Sequence, residues 1–267
     1  MILHNKYEEV TALTKAGIPV LLTGEKGSGK TTLAKQVAEN INLKFFSMSM
    51  TRQTTLSHLM GFVSVNGTYI PSQLYEAASN GGLYLLDELD GSDPNVLLSL
   101  NTIENGFISF PTGIVEVHKD FRLMATANPQ NQHEFYVGRS KLDAATLDRF
   151  DIIEIETDKN LERSLISFDI YQKITVMRSI VEEFNSSKHI SMRDSMRYQV
   201  RKDLGLDEGF EKRILSSDAM FSRFKEKSKN MPSKEDQKDC ETFEELYKLA
   251  LAQTEVYGNN EEKQNVF

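Results

Sequence analysis

The sequence predicts an α/β fold, a parallel sheet with helices on both faces, followed by a small helical unit. Three observations carry that expectation. The aliphatic run Ile18 to Leu22 leads into a glycine-rich stretch and then into Leu33, Ala34, Val37 and Ala38 at helical spacing, so it reads as buried strand, tight loop and helix. A second apolar run, Leu83-Tyr84-Leu85-Leu86, ends abruptly in Asp87-Glu88. In the C-terminal part, stripes such as Ile174, Met177, Ile180 and Val181 replace the strand patterns. The expected division is a core over residues 1–157 and a helical lid with a tail over 158–267.

Composition bounds the function. With 267 residues the chain is long enough for a full core. Its 39 acidic and 31 basic residues give a net charge of −8, which argues against tight non-specific binding to nucleic acid. Cys240 is the single cysteine, which excludes an intrachain disulfide and a cysteine zinc cluster and suits a reducing cytoplasm. No apolar run approaches a membrane span, and the N-terminus lacks a signal-peptide pattern.

Taken in order, Tyr7 to Lys15 carries Val10, Leu13 and Thr14 at helical spacing and stops before Gly17, a C-terminal cap. The stretch Gly24-Glu25-Lys26-Gly27-Ser28-Gly29-Lys30-Thr31 fits G-x-x-x-x-G-K-[ST], the phosphate loop, and Thr32 opens the helix behind it. Its glycines let backbone N–H groups face phosphate oxygens, and the helix N-terminus adds positive potential. In this pattern Lys30 reaches the β- and γ-phosphates of ATP and the Thr31 hydroxyl holds Mg²⁺.

Lys44 to Met50 reads as a second strand. Gly61 to Ile70, with Asn66-Gly67 between two short β-rich runs, predicts a hairpin with both turn residues at positive φ. Leu74 to Ser79 is a short helix. The run ending in Asp87-Glu88 is a Walker B pattern, in which Asp87 holds Mg²⁺ and Glu88 polarises the attacking water, with Asp90 the next candidate for that role. Asp93-Pro94 opens a helix with Leu97, Leu100 and Ile103 on one face, closed by Gly106. Phe107 to Phe110 and Ile114 to Val117 predict a second hairpin with a three-residue loop, Pro111-Thr112-Gly113. Phe121 to Ala127 is a strand ending at Asn128-Pro129, where Asn128 is either a turn residue before proline or an amide for water or the γ-phosphate. Asp151 to Ile155 is the fifth core strand. Leu161 to Phe168 and Ile170 to Phe184 read as helices, and Ser191-Met192-Arg193-Asp194 as a capped helix start. Ser222 to Asp239 reads as a solvated linker or loose helix, and Glu244 to Val256 as a final helix before a polar tail.

In the order of these pieces the chain resembles the AAA+ ATPases. It is most similar to the MoxR group and the small subunit of cobalt chelatase, in the branch with a hairpin inserted in its second helix. The likeness rests on GEKGSGKTT, LYLLDELD, the stretch from ENGFISF to VHKDFRLMATANP, and YVGRSKLDAATLDRFD, and thins after about Asp169. The resemblance implies the strand order 5-1-4-3-2, counting core strands in chain order. It implies that Asn128 is sensor 1 and that Arg149 is the arginine finger acting on a neighbouring subunit, with Arg139 a second candidate. It also matches Arg193 to sensor 2 and the two hairpins to insertions used around a ring pore. Without the resemblance, Arg149 reads as a charge complementing a helix C-terminus and Arg193 as a surface cation.

The expected activity is therefore ATP hydrolysis with Mg²⁺ in a ring, a hexamer by analogy, that remodels a client or adaptor carrying a von Willebrand A-type domain. Two other readings stay open. One is a nucleic-acid-directed or restriction-type motor on the same core, using ATP or GTP, and the other is a slow ATP-binding switch.

Overall fold

A computed structural model describes residues 3–93, 96, 106–129, 142, 144–229 and 231. The expected helix at 94–106, Arg139, and the C-terminal stretch containing Glu244–Val256 lie wholly or mostly outside the described residues. The backbone divides into two compact units, Met1–Asp158 and Lys159–Phe267.

The first unit is built on five parallel strands: β1 (Val20–Thr23), β2 (Phe45–Ser49), β5 (Gly82–Asp87), β8 (Phe121–Ala127) and β9 (Asp151–Glu154). Their order is β2-β5-β8-β1-β9, which is 5-1-4-3-2 counted from the β9 edge, the order that the resemblance implies. Alternation along each strand divides the core. Val20, Leu22, Leu83, Leu85 and Met124 meet Val10 of α1 (Tyr7–Lys15) and Leu33 and Val37 of α2 (Lys30–Asn40). Leu21, Tyr84, Leu86 and Ala125 pack on the other face with Leu59 of α3 (Leu56–Met60) and Leu74 and Ala77 of α4 (Gln73–Asn80). A sheet covered on both faces needs apolar residues at every position, which is why β1 and β5 read as unbroken aliphatic runs.

Helix α1 has the bounds its pattern predicts. It closes with a Schellman pair, Ile18 N–H donating to Leu13 O and Gly17 N–H to Thr14 O, both at 3.1 Å, with Gly17 at φ +82°.

Both hairpins form, with loops that differ from expectation. In β3 (Phe62–Val63) and β4 (Tyr69–Ile70), only Gly67 of the Asn-Gly pair takes positive φ. Ser64 N–H donates to Thr68 O and Gly67 N–H to Ser64 O, so Val65-Asn66-Gly67 forms a three-residue loop with a left-handed third position. In β6 (Phe107–Phe110) and β7 (Gly113–Glu116), Phe110 pairs with Gly113, leaving two turn residues where three were expected. The β6 side chains Ile108 and Phe110 are core, packed on the α4 face of the sheet.

The second unit is helical: α6 (Lys159–Leu165), α7 (Phe168–Glu183), α8 (Met192–Asp203), α9 (Phe210–Leu215) and α10 (Asp218–Ser228), following α5 (Ala144–Leu147) of the first unit. Helix α10 decides for the helical of the two readings over residues 222–228, and α9 has no counterpart in the sequence reading. The stripe Ile174, Met177, Ile180 and Val181 is core, joined by Tyr198, Phe210, Ile214, Met220 and Phe224. Helix α8 opens with the predicted capping box: Ser191 Oγ accepts from Asp194 N–H, and Asp194 Oδ2 accepts from Ser191 N–H at 3.0 Å.

One buried ion pair fixes this unit. Glu162 is fully buried and receives both terminal nitrogens of Arg178, at 2.7 and 2.8 Å, while Ser195 Oγ donates to Glu162 Oε1 and Arg178 Nε to Ile190 O. Removing the arginine strands a carboxylate in an apolar setting, which costs more than the pair itself contributes. Arg178→Met is expected to destabilise the unit by about 3 kcal/mol, read from urea unfolding by circular dichroism. A loss under about 1 kcal/mol would mean that the carboxylate finds water or another cation.

Candidate functional site

In parallel sheets of this kind ligands sit beyond the carboxyl ends of the strands, and the chain gathers its polar residues there. Thr23 of β1 pairs with Ala127 of β8, so Gly24 and Asn128 leave the sheet side by side. Leu86 of β5 pairs with Ala125, which puts Asp87 level with Thr126 and Glu88 level with Ala127. Register alone thus delivers the loop, both carboxylates and the amide to one edge.

The loop itself is shaped by glycine. Gly24 has φ +154°, and a Cβ there would come within 2.2 Å of Ile155 O, so only glycine lets the chain turn against the end of β9. Gly29, at φ +98°, is the N-cap of α2, and Leu33 N–H donates to its carbonyl at 2.8 Å. The Lys30 ammonium lies inside the loop, donating to Gly24 O at 2.6 Å and Glu25 O at 2.8 Å. Ser28 is buried, and its Oγ has no hydrogen-bond partner among the described residues. A lysine, an N-terminal helix turn and a hydroxyl without a partner in one concavity suit a polyphosphate.

The Thr31 hydroxyl, at the start of α2, lies 3.3 Å from Asp87 Oδ1 and 3.2 Å from Oδ2. A magnesium ion keeps most of its water and takes one or two protein oxygens with phosphate oxygens. One hydroxyl beside one carboxylate at the phosphate loop fits that requirement. Bound there, the ion would neutralise charge on the β- and γ-phosphate oxygens.

Past Asp87 the chain bends sharply. Glu88 adopts a left-handed conformation, φ 59° and ψ 48°, and opens the short 3-10 turn Leu89–Gly91. For a residue with a Cβ that conformation is uncommon and costs roughly 1–2 kcal/mol, and such strain gathers at functional positions. Asn128 is buried, and its Nδ2 donates to Asp90 Oδ2 at 3.1 Å, which fixes the plane of the amide.

Thr126 was missed in the sequence, and Asp90 figures there only as the next candidate base after Glu88. Thr126 Oγ1 donates to Asp87 Oδ1 at 2.5 Å and accepts from Glu88 N–H at 2.9 Å, while Asp90 is 4 % exposed and faces Asn128. A threonine in a strand carries no signal beyond β-propensity. The contact of Asp90 with Asn128, 38 residues away, leaves no mark in the sequence.

The other candidates stand elsewhere. Arg149 is half-buried in the turn between α5 and β9, just before Asp151, which pairs with Val20 at the opposite end of the sheet. From Val20 to Gly24 the strand advances roughly 13 Å, so Arg149 enters from the edge away from its own phosphate loop. Arg193 is exposed in the first turn of α8, in the second unit. Arg139 lies outside the described residues.

Residues 19–150 match the family described as AAA domain (dynein-related subfamily). Midasin of Giardia intestinalis is 28% identical over 163 residues, 58% of this chain and 3% of midasin. Lon protease of Mycoplasma mobile is 28% identical over 181 residues, 62% of this chain and 20% of the protease. The chain therefore spans a small part of either relative. Among solved structures, NtrX from Brucella abortus aligns with a TM-score of 0.49 at 17% identity, over 79% of this chain and 48% of that one.

Proposed function

We infer, from the match of residues 19–150 to the AAA domain, that the chain hydrolyses ATP in a ring of its own copies and uses the cycle to remodel a partner protein. The observation that carries this reading is the meeting of Lys30, Thr31, Asp87, Glu88 and Asn128 at one sheet edge while Arg149 lies at the other. A site for phosphate transfer needs a cation on the departing γ-phosphate. The arginine that resembles a finger precedes β9 at the opposite end of the strands from its own loop, so in this reading a neighbouring copy supplies it.

In this reading the loop from Gly24 to Thr32 wraps the phosphates, and Lys30 leaves its loop carbonyls to contact the β- and γ-oxygens. Thr31 and Asp87 hold Mg²⁺. Glu88 takes the proton of the attacking water, and Asn128 orients that water or the γ-phosphate. Arg193 would contact phosphate from the helical unit. The buried, hydrogen-bonded Asp90 holds Asn128 in place and is a poor alternative base.

The client is proposed to be a separate protein with a von Willebrand A-type domain and the ring a hexamer, both on the resemblance to the MoxR and cobalt-chelatase group. A net charge of −8 favours a protein client over nucleic acid. Among the described residues no helix is long and apolar enough to cross a membrane.

Steady-state release of phosphate from Mg·ATP by the full chain tests the reading, with and without a DNA supplement. Turnover that appears only with DNA would replace the protein-remodelling reading by the motor reading. Lys30→Ala serves as the control and is expected to abolish nucleotide binding in a fluorescence titration, because no other cation can replace its direct contact with the β- and γ-phosphates. Unchanged affinity in that variant would overturn the phosphate-loop assignment.

A further inference from the structure

Strand β8 delivers more than Asn128. It is apolar except for Arg122 near its start and Thr126 near its end, and Thr126 is 1 % exposed. A hydroxyl has one proton and two lone pairs, and here both capacities are used. Thr126 Oγ1 gives its proton to Asp87 Oδ1 at 2.5 Å and accepts the Glu88 N–H at 2.9 Å. The direction of both bonds is fixed, because an ionised carboxylate only accepts and a backbone amide only donates.

The consequences for the two carboxylates differ. The bond to Oδ1 restrains rotation of the Asp87 carboxylate, so that Oδ2 stays 3.2 Å from the Thr31 hydroxyl. The bond from Glu88 N–H secures the left-handed turn at φ 59°, and that turn sets the direction in which the Glu88 side chain leaves the sheet. The adjacent bond between Asn128 and Asp90 is separate and does not pass through Thr126.

We propose that Thr126 is a positioning residue for both carboxylates at once: one hydroxyl orients Asp87 toward the metal and locks the backbone turn that aims Glu88. This rests on the reading of Asp87 and Glu88 as metal-holding and water-activating groups. Thr126 touches neither nucleotide nor water in this role and acts through its two neighbours. Metal affinity and turnover therefore depend on it together, whereas nucleotide binding without metal does not.

The test compares Thr126→Val, which keeps the branched shape without the hydroxyl, with Thr126→Ser, which keeps the hydroxyl. Two readouts are needed. The first is Mg²⁺-dependent binding of a fluorescent ATP analogue, with an EDTA arm, and the second is steady-state ATP turnover. Loss of a residue that orients a metal ligand typically lowers affinity or activity 10- to 100-fold, so Thr126→Val is expected to raise the half-saturating Mg²⁺ concentration and lower kcat by about that range. Its affinity for the analogue in EDTA should stay within about twofold of wild type, and Thr126→Ser should recover most of both losses. Circular dichroism checks folding. If Thr126→Val does not fold, Thr126→Ala removes the same hydroxyl in a smaller side chain and carries the same expectations.

Normal Mg²⁺ dependence and turnover in the folded hydroxyl-free variant would overturn the proposal. So would a Thr126→Ser variant as impaired as Thr126→Val, because shape rather than the hydroxyl would then be at work. A wild-type chain that binds Mg·ATP without hydrolysing it would overturn the ATPase reading instead, and the Mg²⁺ arm would still decide the role of Thr126.

Discussion

Glu88→Gln is expected to bind Mg·ATP as the wild type does and to turn it over about 10²- to 10⁴-fold more slowly, the scale on which a general base contributes. The substitution preserves shape and most of the hydrogen-bonding capacity. It also preserves the backbone bond from Glu88 N–H to Thr126 that holds the left-handed turn. What is lost is the ability to take up charge as water attacks phosphorus. Phosphate release measured beside a nucleotide titration separates the two effects, and near-normal turnover would remove Glu88 from the chemistry. Asp90 is a weak substitute because its carboxylate is 4 % exposed and engaged by Asn128.

Arg149→Ala is expected to fold, to bind ATP, and to lose turnover by about 10³-fold, the low end of the range for arginine fingers. The physical reason is charge. As the γ-phosphoryl group departs, negative charge spreads over its oxygens, and a guanidinium that arrives already oriented stabilises that distribution with no reorganisation. Arg149 stands before β9 at the edge of the sheet away from Gly24, so in the proposed ring the effect is expected at the site of the next copy. An arginine that only complements a helix end would give a different result, a stability change under about 1 kcal/mol with turnover retained. Thermal melting and an ATPase assay on the same preparation distinguish these outcomes.

Much of the core was legible because a doubly covered parallel sheet leaves a strong signature. The Phe121–Ala127 strand has the bounds that its pattern predicts, and the Leu83-to-Leu86 run lies inside Gly82–Asp87. Gly24 to Thr31 was legible because phosphate binding constrains glycines, lysine and threonine at fixed spacing. Turn type was less so: Asn66-Gly67 signals a hairpin, yet the register of only two pairs per strand lets the loop absorb a third residue. In the helical unit, lysines and serines surround Phe224, and its partner Met220 lies four residues earlier, so the stretch from Ser222 reads as a linker or a loose helix alike. Glu162 could not be read as buried, because a glutamate is ordinarily exposed and its partner Arg178 is 16 residues away. Thr126 shows the same limit at the candidate site, where function depends on a proton shared across strands rather than on residue type.

The central claim is that one active site is built from two copies of the chain, and mixing two variants tests it most directly. Glu88→Gln and Arg149→Ala are each expected to be inactive alone. Combined under conditions where subunits exchange, some interfaces bring an intact Glu88 together with an intact Arg149 from the neighbouring copy, so ATP turnover should partly return. Two inactive chains can regain turnover in this way only if the residues act across an interface. A mixture that exchanges subunits, shown by a fluorescence label on each variant, yet stays as inactive as its components would contradict the account and transfer the question to Arg139.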